Sequence, residues 1–218
     1  MTDAKQRLTH LIELATTDAP ENRRTLAVEL CDLLLDWPAH YPAAMREPFE
    51  ALLEKIVRMI DADTRRALAE KLGARAETPL PLLNEFYFDA PSETRDAIVL
   101  RNALLEDGTQ PELPHADETE IVAAARSKTN GEFTRAFAIM LGIGAGTAER
   151  ILQDHSAHAL AIACKGAHMN RATFSALALL TETANGDADT RERLASFDSV
   201  PLPAAERLLD HWRTKHAA

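Results

Sequence analysis

Apolar residues recur at spacings of three and four along most of this chain, the period of an amphipathic α-helix. In Arg24–Trp37, the residues Leu26, Leu30, Leu33, Leu34 and Trp37 fall on one face. Phe49, Leu52, Leu53, Ile56, Val57 and Ile60 make a second stripe. Phe133, Phe137, Met140 and Leu141 make another, and Ala205, Leu208, Leu209 and Trp212 line the final helix. No alternating run of β-branched residues and no hairpin turn interrupts them. The pattern predicts an all-α protein of short helices and brief connectors.

Punctuation residues place the helix ends. Pro20 suits a first helical turn, where its missing N–H costs nothing. Asp61 or Asp63 caps TRRALAEKLG, which stops at Gly73. Pro79 and Pro81 open PLPLLNEFYF, and Pro91 and Ser92 open SETRDAIVLRNALL. Ser156 is expected to cap Ala157–Ala167, and Asn170 to cap RATFSALALLTET. The run EDGTQPELPHAD, with two prolines and many acids, reads as a linker. The expected organisation is a helical region over 1–106, a linker over 107–116 and a second helical region over 117–218.

The first region carries a loose internal repeat. RRTLAVEL at Arg23, TRRALAEKL at Thr64 and TRDAIVLRNALL at Thr94 each place a basic residue near a helix start. Small residues and then leucines follow. Stacked hairpins of the HEAT type repeat this way, because one hairpin cannot bury its apolar face alone.

Charge sharpens this picture. The net charge is −10, which favours solubility and repels nucleic acid. It is uneven: residues 91–125 carry 2 basic and 8 acidic side chains, whereas 126–178 carry 6 and 3. The two cysteines, Cys31 and Cys164, do not make a disulfide framework and fit a reducing, cytoplasmic setting. The opening MTDAKQRLTH lacks the apolar core of a secretory signal. No apolar run approaches the ~20 residues of a membrane span, so no membrane association is expected.

Three segments together resemble a known family. They are FEALLEKIVRMIDADTRRALAEKL, PLPLLNEFYFDAPSETRDAIVLRNALL and AERILQDHSAHALAIACKGAHMNRATFSALALL. The family is an uncharacterised bacterial one, catalogued as a domain of unknown function and found mainly in alphaproteobacteria. The resemblance implies an all-helical fold, with HEAT-like hairpins in the N-terminal half and a second helical region after them. It assigns no catalytic or binding residue.

Four stretches are candidates for chemistry. GIGAGTAERI, from Gly142, is neither a dinucleotide fingerprint nor a P-loop. Thr147 stands where a third glycine is needed, no strand precedes it, and no lysine follows Gly146. MLGIGAGTAERIL does resemble the helix-hairpin-helix motif of DNA-repair and replication proteins. Gly142, Ile143, Gly144, Ala148 and Ile151 occupy its core positions, although Leu141 replaces the usual proline. The resemblance implies phosphate binding by exposed amides at Gly142 and Gly144, with Arg150 adding charge, and Arg135 and Lys165 nearby. The competing reading is a tight corner between packed helices.

In HSAHALAIACKGAH, Cys164 and His168 stand four apart, a metal-ligand spacing, with His155 and His158 before them. A buried structural cysteine is the commoner outcome, and no metal or other cofactor is expected. In NEFYFDAP, Phe86, Tyr87 and Phe88 are consecutive, so two should enter the core and one stay exposed. Tyr87, with Arg95 and Arg101, is the candidate protein-binding anchor. The acids Asp117, Glu118 and Glu120 suit a helix start. The hydrolase motifs G-x-S-x-G and H-E-x-x-H are absent.

The expected function is therefore non-enzymatic: a helical-repeat module that binds or regulates an unidentified protein partner. The alternative is nucleic-acid binding through the turn at 142–151.

Overall fold

A computed structural model describes residues 10, 11, 13–15, 19–38, 41–76, 78–105, 118–126, 130–181 and 187–217. These residues form α-helices and one short 3-10 turn, Ala43–Met45, with no strand among them. The chain is all-α, as its periodicity predicts. It divides into two compact units, Met1–Ile98 and Val99–Ala218. The expected linker, 107–116, lies outside the described residues.

The N-terminal unit is built on α1, Pro20–Leu35, α2, Arg46–Val57, α3, Ala62–Gly73, and α4, Leu80–Glu85. Helix α1 packs on α2 and α3, and α4 packs on both of those. Pro20 opens α1 in its first turn. The predicted leucines Leu26, Leu30, Leu33 and Leu34 are buried, together with Ala27 and Cys31. Asp61 caps α3, its carboxylate accepting from the Thr64 amide at 2.8 Å and from the Thr64 hydroxyl at 2.7 Å. Those bonds hold the Asp61 carboxyl below its usual range.

Helix α5, Ser92–Ala103, spans the boundary between the units. Its start repeats a device found in α3. The Arg65 guanidinium donates to the carbonyl of Ile60 at 2.6 Å, and Arg95 donates to the carbonyl of Ala90 at 3.0 Å. Each arginine follows a threonine in the first turn and reaches back five residues. The second and third copies of the internal repeat therefore share a physical function: they pin the loop that enters the helix.

The C-terminal unit holds α6, Glu118–Arg126, α7, Asn130–Leu141, α8, Ala145–Leu152, α9, His158–Gly166, α10, Arg171–Leu180, α11, Asp187–Ser199, and α12, Leu202–Ala217. Helix α9 is its centre. Ala159 through Cys164 are all buried. A helix apolar all round belongs inside a core, and α9 packs against α8, α10, α11 and α12. The backbones of α9 and α12 come close at Gly166, where an added Cβ would stand 2.5 Å from the Ala205 carbonyl oxygen on α12. No described helix is long and apolar enough to cross a membrane.

Two details of this unit depart from expectation. Ser156 is not the cap of α9. Ala157 precedes the helix in the left-handed region, φ 57°, and makes no side-chain cap bond. The Asp154 carboxylate instead accepts from the Ala159 amide at 2.8 Å, while the Ser156 hydroxyl accepts from the His158 amide at 3.2 Å. Arg193, buried within α11, donates to the carbonyl of Ala178 at 3.0 Å and to that of His155. Its charge thus lies against the C-terminal end of α10, where the helix dipole is negative.

Asn170 caps α10 as its position predicts, accepting from the Thr173 amide at 2.9 Å. Asn170→Ala should lower the stability of this unit by about 1 kcal/mol, measured by urea unfolding.

Candidate functional site

The glycine-rich stretch joins α7 to α8 through Gly142, Ile143 and Gly144. The three glycines have different roles. Gly142 takes φ 67°. Its amide donates to the Ile139 carbonyl at 3.1 Å, and the Ile143 amide donates to the Ala138 carbonyl at 3.0 Å. This pair of bonds is a Schellman motif, whose left-handed position favours glycine. Gly144 precedes α8 in an extended conformation, φ −67°, that any residue adopts. Gly146 lies inside α8 with open space around it. Only Gly142 is required by the backbone.

The apolar positions of the motif point inward. Phe137, Leu141, Ile143, Ala148 and Ile151 are all buried. Gly142 and Gly146 are exposed, and Gly144 is half-buried. The first amides of α8 have no partner within the helix, and Ala145 and Gly146 at its start are exposed.

The cations around it differ from those expected. Arg150 and Arg135 are exposed on their helices. Lys165 is not at the turn's disposal. Its ammonium donates to the carbonyls of Phe197 at 2.7 Å and Val200 at 2.6 Å, and lies 4.9 Å from the Phe197 ring centre. It closes the C-terminal end of α11. The nearest new cation is Arg213 on α12, which donates from Nε to the Leu141 carbonyl at 2.7 Å. Burial holds Arg213 below its usual pKa, and its buried Nη1 has no hydrogen-bond partner. The sequence offers no signal for this contact, because it joins residues 72 apart.

The cysteine–histidine pair is not brought together as a ligand set. Helix α9 ends at Gly166, so His168 is not on the same helix as Cys164. His168 takes φ 56° and occupies the left-handed position of a second Schellman motif. The His168 amide donates to Lys165 and the Met169 amide to Cys164. Its Nε2 lies 3.0 Å from Glu206 on α12. Cys164 is fully buried, and burial pushes its thiol well above the ordinary range. His155 is exposed, and His158 is half-buried at the start of α9. Among the described residues no group of three or more His, Cys, Asp or Glu could hold a metal ion. Cys31 is likewise buried, its thiol pushed up to about 12 by burial.

Tyr87 is not a surface anchor. Residues 86–89 form a turn rather than continuing α4. Both Phe86 and Tyr87 enter the core, and Phe88 is the half-buried ring. Arg95 lies over the Tyr87 ring, 5.6 Å from its centre, and donates to the Phe88 carbonyl at 2.9 Å. Arg95 therefore clamps its own loop. Arg101 is half-buried in the last turn of α5.

A different surface emerges at the C-terminal end of α5 and the turn that follows it. Leu100, Leu104 and Leu105 are 58, 71 and 51% exposed, whereas Asn102 is buried. Leu100 and Leu104 are one helical turn apart and share a face. The end carrying them is held by Arg207 of α12, which donates to the carbonyl of Leu105 at 2.9 Å and to that of Asn102. Periodicity misses this ridge, because leucines beside Ile98 and Val99 read as core.

Known proteins add one finding. No curated protein and no solved structure matches the chain. Residues 109–210, which take in nearly all of the C-terminal unit, match the model of a family described as an uncharacterised protein conserved in bacteria (DUF2336).

Proposed function

We propose that this chain is a non-catalytic helical module that binds another protein, and that the leucine ridge of α5 is its contact surface. The observation that carries the reading is the exposure of Leu100, Leu104 and Leu105 beside a buried Asn102. Exposed leucines clustered on a fixed backbone mark interaction surfaces more than scattered ones do. Arg207 holds that backbone at two carbonyls, which limits the ordering cost of binding. HEAT-like stacking of the N-terminal hairpins and a cytoplasmic location belong to the same reading. The repeated Thr-Arg device supports the first, and the two buried, unpaired cysteines support the second.

The test is affinity capture from the native host with the wild-type chain and with a Leu100→Glu/Leu104→Glu variant. A specific partner should be retained by the wild type and reduced at least about tenfold by the variant. Equal capture of the same protein by both chains would refute the ridge as the contact. Circular dichroism should show unchanged helicity in the variant.

A second reading, nucleic-acid binding at the α7–α8 corner, is favoured by Arg213, whose buried Nη1 stands without a partner near the exposed Gly142. Fluorescence anisotropy with generic duplex DNA tests it. Salt-sensitive binding at low ionic strength, lost in Gly144→Glu and Arg150→Glu, would support this reading. No binding at low salt would remove it.

A further inference from the structure

Helix α5 carries more than leucine on its exposed side. At 3.6 residues per turn, Glu93, Asp96, Leu100 and Leu104 fall within about a quarter of the helix circumference, opposite Asn102. All four are exposed, while Ile98, Val99 and Asn102 are buried. The Leu104 amide donates to the Leu100 carbonyl at 3.1 Å, so helical spacing holds to the end of the stripe. The stripe is acidic over its first half and apolar over its second.

The two acids are uncompensated. Neither Glu93 nor Asp96 has a hydrogen-bond or ion-pair partner among the described residues. Glu93 stands in the first turn, where the helix dipole favours an acid. Asp96 lies beyond that turn, and aspartate is a poor helix former away from a cap. Nothing in the helix itself accounts for it. The neighbouring cations are engaged elsewhere. Arg95 is turned to the carbonyls of Ala90 and Phe88. Arg207 is turned to those of Asn102 and Leu105, at the other end of the stripe, and Arg101 is half-buried. Residues 91–125 carry 8 acidic side chains against 2 basic ones.

We infer that the α5 stripe docks a basic amphipathic helix of another protein, an inference that rests on the ridge being the contact surface. Leucines of the partner helix cover Leu100 and Leu104, as apolar helix faces cover apolar strips. Lys or Arg about one turn further along meets Asp96 and Glu93. The same stripe on a second copy is no match. Laid in one direction it sets acid against acid, and in the other it sets acid against leucine. An uncharged apolar segment would cover the carboxylates without giving them a partner.

The test uses the full chain and two synthetic helical peptides of about four turns. Both carry leucines one turn apart on one face. The flanking turn carries lysine in one peptide and glutamate in the other. Fluorescence anisotropy should show the lysine peptide bound at least about tenfold more tightly, with the difference shrinking as salt rises. Glu93→Lys/Asp96→Lys should reverse the preference. Glu149→Lys/Glu192→Lys makes the same charge change at exposed positions on α8 and α11, and should leave the preference in place. Leu100→Ser/Leu104→Ser should weaken the lysine peptide at least about tenfold. All the substituted positions are exposed, so each variant should keep the circular dichroism of the wild type.

The outcomes separate the partner's chemistry from the ridge. Equal binding of both peptides, lost in Leu100→Ser/Leu104→Ser, would overturn the basic partner and leave the ridge standing. So would a lysine preference that survives Glu93→Lys/Asp96→Lys, the mark of general attraction to an acidic chain. No binding of either peptide would also overturn the inference, with affinity capture still deciding the ridge. Undiminished binding of the lysine peptide by Leu100→Ser/Leu104→Ser would overturn the ridge itself, and the proposed function with it.

Discussion

Gly166→Ala is expected to destabilise the C-terminal unit by about 3 kcal/mol, at the upper end of overpacking effects. The added methyl would lie 2.5 Å from the Ala205 carbonyl oxygen, 2.8 Å from its carbon and 3.0 Å from the Leu209 Cβ. Two of those atoms belong to the backbone of α12, so no side-chain rotation relieves the clash. Helices α9 and α12 would have to separate. Doing so loosens Ala204, Leu208 and Leu209, all completely buried. The gain in helix propensity from Gly to Ala, about 1 kcal/mol, offsets only part of this. Urea unfolding followed by tryptophan fluorescence in a Trp37→Phe background reads the right unit, because the remaining Trp212 is buried in α12. A loss below about 1 kcal/mol would mean that the two helices slide apart cheaply and that their close approach is not a constraint.

Phe137→Ala should cost about 4 kcal/mol. Its ring is completely buried in α7, with its centre 5.9 Å from that of Phe133. Leu141, Ile143, Ala148 and Ile151, on α7, α8 and the corner between them, are buried as well, and the two helices pack on each other. Truncation removes the transfer energy of the ring and leaves a cavity in the core. Ile139 provides the control. It is 74% exposed on the same helix, so Ile139→Ala should change stability by less than about 0.5 kcal/mol. If Phe137→Ala proved as mild as Ile139→Ala, the ring would not be packed in the core as its burial indicates.

Local chemistry was readable and distant chemistry was not. Pro20, Asp61 and Asn170 open or cap helices as expected, because a cap is decided by neighbours within one turn. The buried stripe of α1 followed from its period. Periodicity misleads where a helix ends sooner than its pattern suggests. A spacing of four puts His168 on the face of Cys164 only if the helix continues, and α9 stops at Gly166. Helical geometry does not apply to Tyr87, which lies in a turn and is buried rather than exposed.

The features that depend on distant parts of the chain are hidden for another reason. A leucine stripe shows which residues could be buried, not whether anything covers them. In α5 the covered residue is Asn102 and the uncovered ones are leucines. Arg207 and Arg213 act on carbonyls 105 and 72 residues away. No local pattern encodes such contacts.

The burial of both cysteines has a practical consequence. The chain contains only Cys31 and Cys164, and neither thiol reaches solvent or ionises near neutrality. The native chain should therefore be nearly inert to maleimides under folding conditions. A cysteine placed at an exposed position such as Leu104 or Ile139 would be the preferred labelling site, without removal of the native pair. A fluorophore or spin label could then watch the α5 ridge or the α7–α8 corner directly, on the unaltered core.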